Sequence, residues 1–174
     1  MNAPRTATVS WHDPADVLPH LAGLDGLGYV EAVRDGRLPG DPMMEALGIR
    51  VTEVERGRVV MTAVPEGQHM NLGGVVHGGF LSTLMDCATG FAFHSTLPPR
   101  ATAPHVSASY GFLRFGRPGA ELRCEARVLR AGGRVGHIRA EVHDAEGRLL
   151  ATAETTHAVV SVEGVEHLRS GPSA

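Results

Sequence analysis

The chain has no lysine: all 16 of its basic residues are arginine. Without that amine there is no Walker-type phosphate loop, no Schiff-base lysine for a pyridoxal enzyme and no Ser-Lys dyad. Cysteine is nearly as scarce. Cys87 and Cys124 form no CxxC pair and stand at no metal-ligand spacing, which excludes a disulfide framework and points to a reducing cytoplasm. Aromatic residues make up only 5 % of the 174 positions, and neither a bilayer-length apolar run nor a basic-then-apolar leader is read in the sequence. With 19 acidic residues the net charge is −3, so the chain lacks the broad positive field that nucleic acid or an anionic membrane surface requires, and neither is expected as a partner. What is present is ordinary globular composition, 43 % hydrophobic and 20 % charged, in a length that buries a core as one domain.

Hydrophobic spacing then divides the chain. Val17, Leu18, Leu21, Leu24, Leu27, Val30 and Val33 recur at three- and four-residue steps, predicting one or two short helices between residues 13 and 37. After a break at Pro39-Gly40, Asp41 is placed to cap and Pro42 to open another helix reaching about Leu47. Beyond it the period becomes that of strands, over 49–55, 58–64, 101–115, 120–130, 134–144 and 149–162. Turns at Arg117-Pro118-Gly119, Ala131-Gly132-Gly133 and Ala145-Glu146-Gly147 predict that the late strands pair antiparallel in sequence order. Residues 78–95 are the exception. Phe80, Leu81, Leu84, Met85, Ala88, Phe91 and Ala92 repeat at helical spacing between apolar flanks, which predicts a helix buried almost all round. A curved antiparallel sheet enclosing that helix, an α+β architecture, covers it most simply. The expected layout is a helical extension over 1–46, a main domain over 47–162 and a flexible tail over 163–174.

The helix carries the chemistry. Asp86 is the sole acidic residue from 67 to 120, and no arginine occurs from 59 to 99, so nothing near it in sequence neutralises it. Desolvation would push such a carboxyl towards the range of a general base at neutral pH; the alternative is an aspartate on a small wet stripe with Ser82 and Thr89. Gly78 and Gly79 at the helix start leave backbone N–H groups bare, as an oxyanion hole needs, although a helix start that merely requires small residues looks the same. Asn71 and His77 fit contact with substrate or water, although each taken singly is more simply a turn or cap residue. Gly78 and Asp86 lie eight residues apart, about 12 Å along one helix, so one reacting carbon does not reach both. If they act together, a dyad-related second copy must set its Asp86 opposite Gly78, in an obligate homodimer with two composite sites. No metal is expected, because His77, Asp86 and His94 are each about two turns apart. Cys87 turns away from the Asp86 face and is expected in the core.

The pattern Asn71-x5-His77-Gly78-Gly79-x6-Asp86, followed by Phe112-Leu113-Arg114 and Gly132-Gly133-Arg134, resembles the hotdog-fold acyl-CoA thioesterases over about residues 47–160. The likeness is to the phenylacetic-acid-degradation (PaaI-like) branch of the 4-hydroxybenzoyl-CoA thioesterase superfamily. The resemblance implies a helix wrapped by the sheet, a dimer often paired into a tetramer, and hydrolysis of an acyl- or aryl-CoA to carboxylate and free CoA without a cofactor. By that resemblance Gly78 N–H polarises the thioester carbonyl, Asp86 of the neighbouring subunit activates water or attacks directly, Asn71 orients water or carbonyl, and His77 supports the Gly78-Gly79 turn. Gly132, Gly133 and Arg134, with Arg130 nearby, are placed for the coenzyme A phosphates. The chain departs from the pattern at His105, where relatives often carry Ser or Thr; an imidazole there either contacts substrate or is structural. Phe80, Leu81, Met85, Phe91 and Tyr110 suit an acyl tunnel and core packing alike. Two rival readings remain: a hotdog hydratase or dehydratase of enoyl or hydroxyacyl thioesters, and a non-catalytic acyl-CoA-binding module.

Overall fold

The computed structural model describes residues 3–21 and 23–161, so the expected tail over 163–174 lies outside the described residues. Three short helices come first: α1 (Pro14–Val17), continued by a 3-10 turn, α2 (Gly26–Arg34) and α3 (Pro42–Leu47). Strands β1 (Arg50–Glu55) and β2 (Arg58–Ala63) lead to the long helix α4 (Gly78–His94). There follow β3 (Ala101–Thr102), β4 (His105–Phe112), β5 (Leu122–Ala131), β6 (Val135–His143), β7 (Leu149–Ala158) and β8 (Val160–Ser161). Six strands form one antiparallel sheet in the order β1-β2-β5-β6-β7-β4, and β3 pairs with β8 beside it.

The sheet holds α4 because each strand alternates. On β5, Leu122, Cys124 and Ala126 are buried while Arg123, Glu125 and Arg127 face outward into a lattice of ion pairs with Glu53 and Arg58. The inward residues of β2, β5, β6 and β7, including Met61, Leu122, Ile138 and Leu150, pack on Leu84, Met85 and Phe93 of α4. Phe80, Leu81, Met85 and Phe91 are all core residues and the partly buried Tyr110 packs against that core, so core packing accounts for the apolar side chains that also suited a tunnel. Gly136 on β6 shows how close the layers lie. A Cβ there would stand 2.3 Å from Cε2 of Phe93, whose ring is wedged against the sheet. We expect Gly136→Ala to lower stability by about 1–3 kcal/mol through overpacking, measured as a shift of the urea midpoint at unchanged m-value.

The helix is not covered all round, as the apolar spacing predicted. Gly79, Ser82, Thr83, Asp86 and Gly90 stay partly or fully open and fall on one stripe at three- and four-residue steps. A single sheet cannot close around a cylinder, and the uncovered side runs past Asp86. Two further expectations fail. The strand predicted over 101–115 breaks at Ala103-Pro104, where proline has no N–H for the ladder, and its first part turns aside to β8. The turn at Arg117-Gly119 does not join neighbouring strands: β4 pairs with β7, and β5 with β2. That connection crosses from the sheet edge to its middle and is tied to another loop, with Val76 N–H donating to Gly116 O at 3.1 Å and Gly119 N–H to Pro65 O at 2.7 Å. A turn tripeptide sets a change of direction, not a pairing partner. The other two turns do join β5 to β6 and β6 to β7.

Candidate active site

The helix α4 begins at a bare donor. His77 is its N-cap, and its Nδ1 accepts from Gly79 N–H at 2.8 Å. His77 O takes the N–H groups of Phe80 and Leu81, and His77 N–H donates to His69 O at 2.9 Å. Gly78 N–H alone in this first turn has no acceptor among the described residues. The structure thus separates the two glycines: Gly79 is committed to the cap, and Gly78 is free to donate at the positive end of the helix dipole. Phe112 of β4 lies over Gly78, with its ring atoms 3.4–3.7 Å from where a Cβ would stand.

Asn71 sits in the loop before the helix. Its Oδ1 accepts from Gly73 N–H at 2.8 Å in an Asx turn, which leaves the NH2 donors and the second lone pair of Oδ1 to face outward. Asn71 and His77 line an open hollow of about 810 Å³ together with Leu72, Val75 and Phe115. Asp86 is not in that hollow. It lies at mid-helix on the open stripe, where its side chain is 47 % exposed and meets two donors from β4. His105 Nε2 is 3.4 Å and the Tyr110 hydroxyl 3.5 Å from Oδ1. The expectation of a desolvated, partnerless carboxylate therefore fails within the protomer: partners arrive from a strand that no local stretch of sequence reveals. Within one protomer the structure gathers Asn71, His77 and Gly78 at the helix start, and Asp86, His105 and Tyr110 two turns on.

Sequence reasoning missed several neighbours. His157 of β7 is the Cα partner of His105 in the ladder, and the two rings lie 3.7 Å apart by centroids. His157 is fully buried, donates Nδ1–H to Ala103 O at 2.9 Å and takes the Thr155 hydroxyl at Nε2. A Cβ at Gly90 would stand 3.7 and 4.0 Å from Cε1 of His105 and of His157, an ordinary contact, so this turn of α4 lies against both rings. Asp41 was also misjudged. It occupies the N-cap position of α3 but makes no side-chain cap; its carboxyl instead lies near the hydroxyl of Tyr29, whose ring lies 5.6 Å from Phe91 and 5.2 Å from His94. Crowding by protein, with the charge of Asp86 adding to it, raises the Asp41 carboxyl above the usual range despite the nearby Tyr29 hydroxyl. Cys87 is in the core as expected, its thiol pushed up to about 12 by burial.

At the far end of α4, the β5–β6 turn carries the residues assigned to phosphate. Gly132 N–H is committed to Val135 O at 2.9 Å, while a Cβ on Gly133 would meet nothing within 4 Å and Arg134 is exposed. Arg134 makes no ion pair among the described residues, nor does Arg130. Among the described residues no group of three His, Cys, Asp or Glu side chains is arranged to hold a metal ion, and no helix is long and apolar enough to cross a membrane.

The buried imidazoles set an acid limit to stability. Burial lowers the pKa of His94, His105 and His157 below the ordinary value. The unfolded chain then binds protons that the native state refuses, so stability falls as pH drops through about 6.5 towards the depressed values. Asp41 acts in the opposite sense, one group against three. Carboxylates held low by arginine, such as Glu125 at about 2, lose their contribution only below the ordinary carboxylate range. We expect the thermal midpoint to be level from pH 8 to 7 and to decline between pH 6.5 and 5; a midpoint unchanged to pH 5 overturns this account.

A long helix cradled by a curved antiparallel sheet, with a free N–H at its first residue and a carboxylate two turns on, defines a hotdog-fold protein. The profile of the thioesterase superfamily matches residues 73–151, and the chain belongs to that superfamily, which makes it an enzyme of the thioester-hydrolysing class. A variant of the phenylacetic acid degradation protein PaaI from Thermus thermophilus is 32 % identical, with a TM-score of 0.63 over 68 % of this chain and 98 % of that one. PaaI of E. coli superposes with a TM-score of 0.70 at 24 % identity, over 76 % of this chain and 94 % of its own, a likeness of fold. A Streptococcus mutans protein solved with acetyl CoA bound is 25 % identical, with a TM-score of 0.61 over 65 % of this chain and 89 % of its own.

Proposed function

We propose that the protein hydrolyses an acyl- or aryl-CoA thioester to a carboxylate and free coenzyme A, without metal or redox cofactor, in a homodimer whose two sites are shared between subunits. The observation that carries the reading is the free Gly78 N–H at the start of α4, set about 12 Å along the same helix from Asp86. A donor fixed where charge develops on a thioester oxygen is the largest usual contribution to acyl-transfer catalysis. Asp86 takes a proton from water as the C–O bond forms, the C–S bond breaks and the thiolate takes up that proton; or Asp86 attacks the carbonyl carbon itself, the C–S bond breaks, and water then cleaves the resulting acyl-aspartyl anhydride to release the carboxylate and restore Asp86. Asn71 donates from its amide to the water or carbonyl, and His77 holds the turn that aims Gly78.

Two features support the dimer. The stripe of α4 that carries Asp86 is left open by the sheet. Strand β4 is a sheet edge, with Val106 and Phe112 more than half exposed, and such an edge is a template for pairing with another chain. With the helices antiparallel about a dyad, Asp86 of one copy meets Gly78 of the other. The coenzyme would then run along the Asp86 protomer towards Gly133 and Arg134, because Gly136 beside that turn touches Phe93, seven residues and roughly 10 Å beyond Asp86. Similarity to proteins of phenylacetic acid degradation, and to one solved with acetyl CoA, supports the choice of CoA ester.

The assay is thiol release from a panel of short, medium, long and aryl acyl-CoAs. Turnover of at least one class is expected; acyl-CoA bound tightly with no thiol released points to a binding module instead. A second reading has one observation in its favour, the approach of His105 to Asp86, since a His-carboxylate pair serves hydration of enoyl thioesters. Loss of crotonyl-CoA absorbance without thiol release would establish it.

A further inference from the structure

Oδ1 of Asp86 faces both nearby donors, His105 Nε2 at 3.4 Å and the Tyr110 hydroxyl at 3.5 Å. The state of His105 follows from the Asp86 carboxylate, which when ionised only accepts, so Nε2 faces it with a proton. With that proton on Nε2, the fully buried Thr89 hydroxyl accepts from it at 3.2 Å and gives its own proton to Asp86 O at 3.1 Å. His105 Nε2 is therefore an N–H, shared between Thr89 and the Asp86 carboxylate. The ring is clamped from behind by His157, whose own tautomer is fixed by the Ala103 carbonyl at Nδ1. Such a clamp on a half-exposed carboxylate is out of proportion to a stability role, because an exposed ion pair contributes little.

We propose that His105 and Tyr110 are positioning residues that hold Asp86 by Oδ1, so that Oδ2 is the oxygen that acts on water or on the thioester carbon, with neutral His105 as the working state. The proposal rests on the hydrolytic reading of Asp86. Contacts of 3.4 and 3.5 Å are long, as such contacts are before substrate is bound, and shorten when the site closes on its ligand. The groups facing the imidazole are Asp86 from α4, His157 from β7 and Tyr110 on its own strand, while Asp41 adds negative charge beside Asp86. Burial keeps His105 neutral to lower pH than a free imidazole, although Asp86 draws its pKa upward. When His105 does take a second proton, the imidazolium withdraws electron density from Asp86 and weakens it as base or nucleophile.

The test is the pH profile of kcat/KM for His105→Gln and His105→Leu beside wild type. Glutamine keeps a donor but does not titrate. Its rate above pH 7.5 should stay within about tenfold of wild type, while the acidic limb moves down by at least about one pH unit, from the imidazole to the carboxylate range. Leucine removes the donor, and its plateau should fall by up to about 10²-fold with KM little changed. A second readout is independent of turnover. The Cε1–H proton signal of His105, assigned by its loss in His105→Gln, should titrate in the wild-type protein with a midpoint below 6.5 and move lower still in Asp86→Asn. A glutamine profile superimposable on wild type, or a His105 midpoint indifferent to Asp86→Asn, overturns the proposal. Full turnover in Asp86→Asn would instead remove the hydrolytic reading on which it rests.

Discussion

Asp86→Asn should leave a folded protein whose kcat for thiol release is about 10²–10⁴ lower than wild type, with KM for acyl-CoA nearly unchanged. The substitution is isosteric, and the side chain lies on the uncovered stripe of α4, so no cavity and no buried unpaired group is created. The amide can still receive His105 Nε2–H and the Tyr110 hydroxyl on its oxygen, which keeps the β4 contacts in place. What it loses is basicity. Three to five kcal/mol of transition-state stabilisation is the order of effect such a factor represents, at about 1.4 kcal/mol per decade. Asp86→Ala should behave alike if Asp86 is a base. If it is the nucleophile, both variants should also lose the burst of thiol release that an accumulating acyl-enzyme produces before the steady state with substrate in excess. Equal turnover in wild type and Asp86→Asn would mean that the carboxylate is merely a solvated helix residue, and the assignment of the site would fall with it.

The parts of this molecule legible in the sequence are those set by local periodicity. α4 is read from Phe80 to Ala92 because its apolar side chains recur at helical steps, and β5 to β7 because theirs alternate and the turns between them are short. Asn71, His77 and Gly78 were likewise legible: helix starts are built by neighbours in sequence, and the cap His77 supplies to Gly79 spans two residues. Long-range register was not legible. Asp86 meets Tyr110 only because β4 crosses to the edge beyond β7, and His105 meets His157 only because that pairing places them opposite each other, although the Arg117-Gly119 turn argued for a β4–β5 hairpin. Asp41 was misread for the opposite reason, since Asp-Pro is a sound local cap signal that the distant Tyr29 hydroxyl overrode. Gly90 gave no clue to the two imidazoles beside it, because a Cβ there would make only ordinary contacts with them.

The dimer with shared sites makes the most demanding prediction, because it requires two dead proteins to make a live one. Gly78→Pro removes the proposed oxyanion donor and little else. Gly78 is the first residue of α4, where proline fits the helix and no intrahelical bond is lost. His77 ahead of it has φ −65° and ψ 137°, the extended conformation that a residue preceding proline adopts. The new Cβ would lie 3.4 Å from Cζ of Phe112, an ordinary contact. The variant should fold and lose about 10²–10³ in kcat, the usual effect of deleting one oxyanion donor. If Gly78 of one subunit works with Asp86 of the other, a mixed dimer of Gly78→Pro and Asp86→Asn carries one doubly damaged site and one intact site. Co-expression with two different tags and purification on both should yield dimers with about half of wild-type activity, against under about 1 % for either parent. Mixed dimers as inactive as their parents would place both groups in one protomer's site, and an active monomer in sedimentation would end the shared-site reading outright.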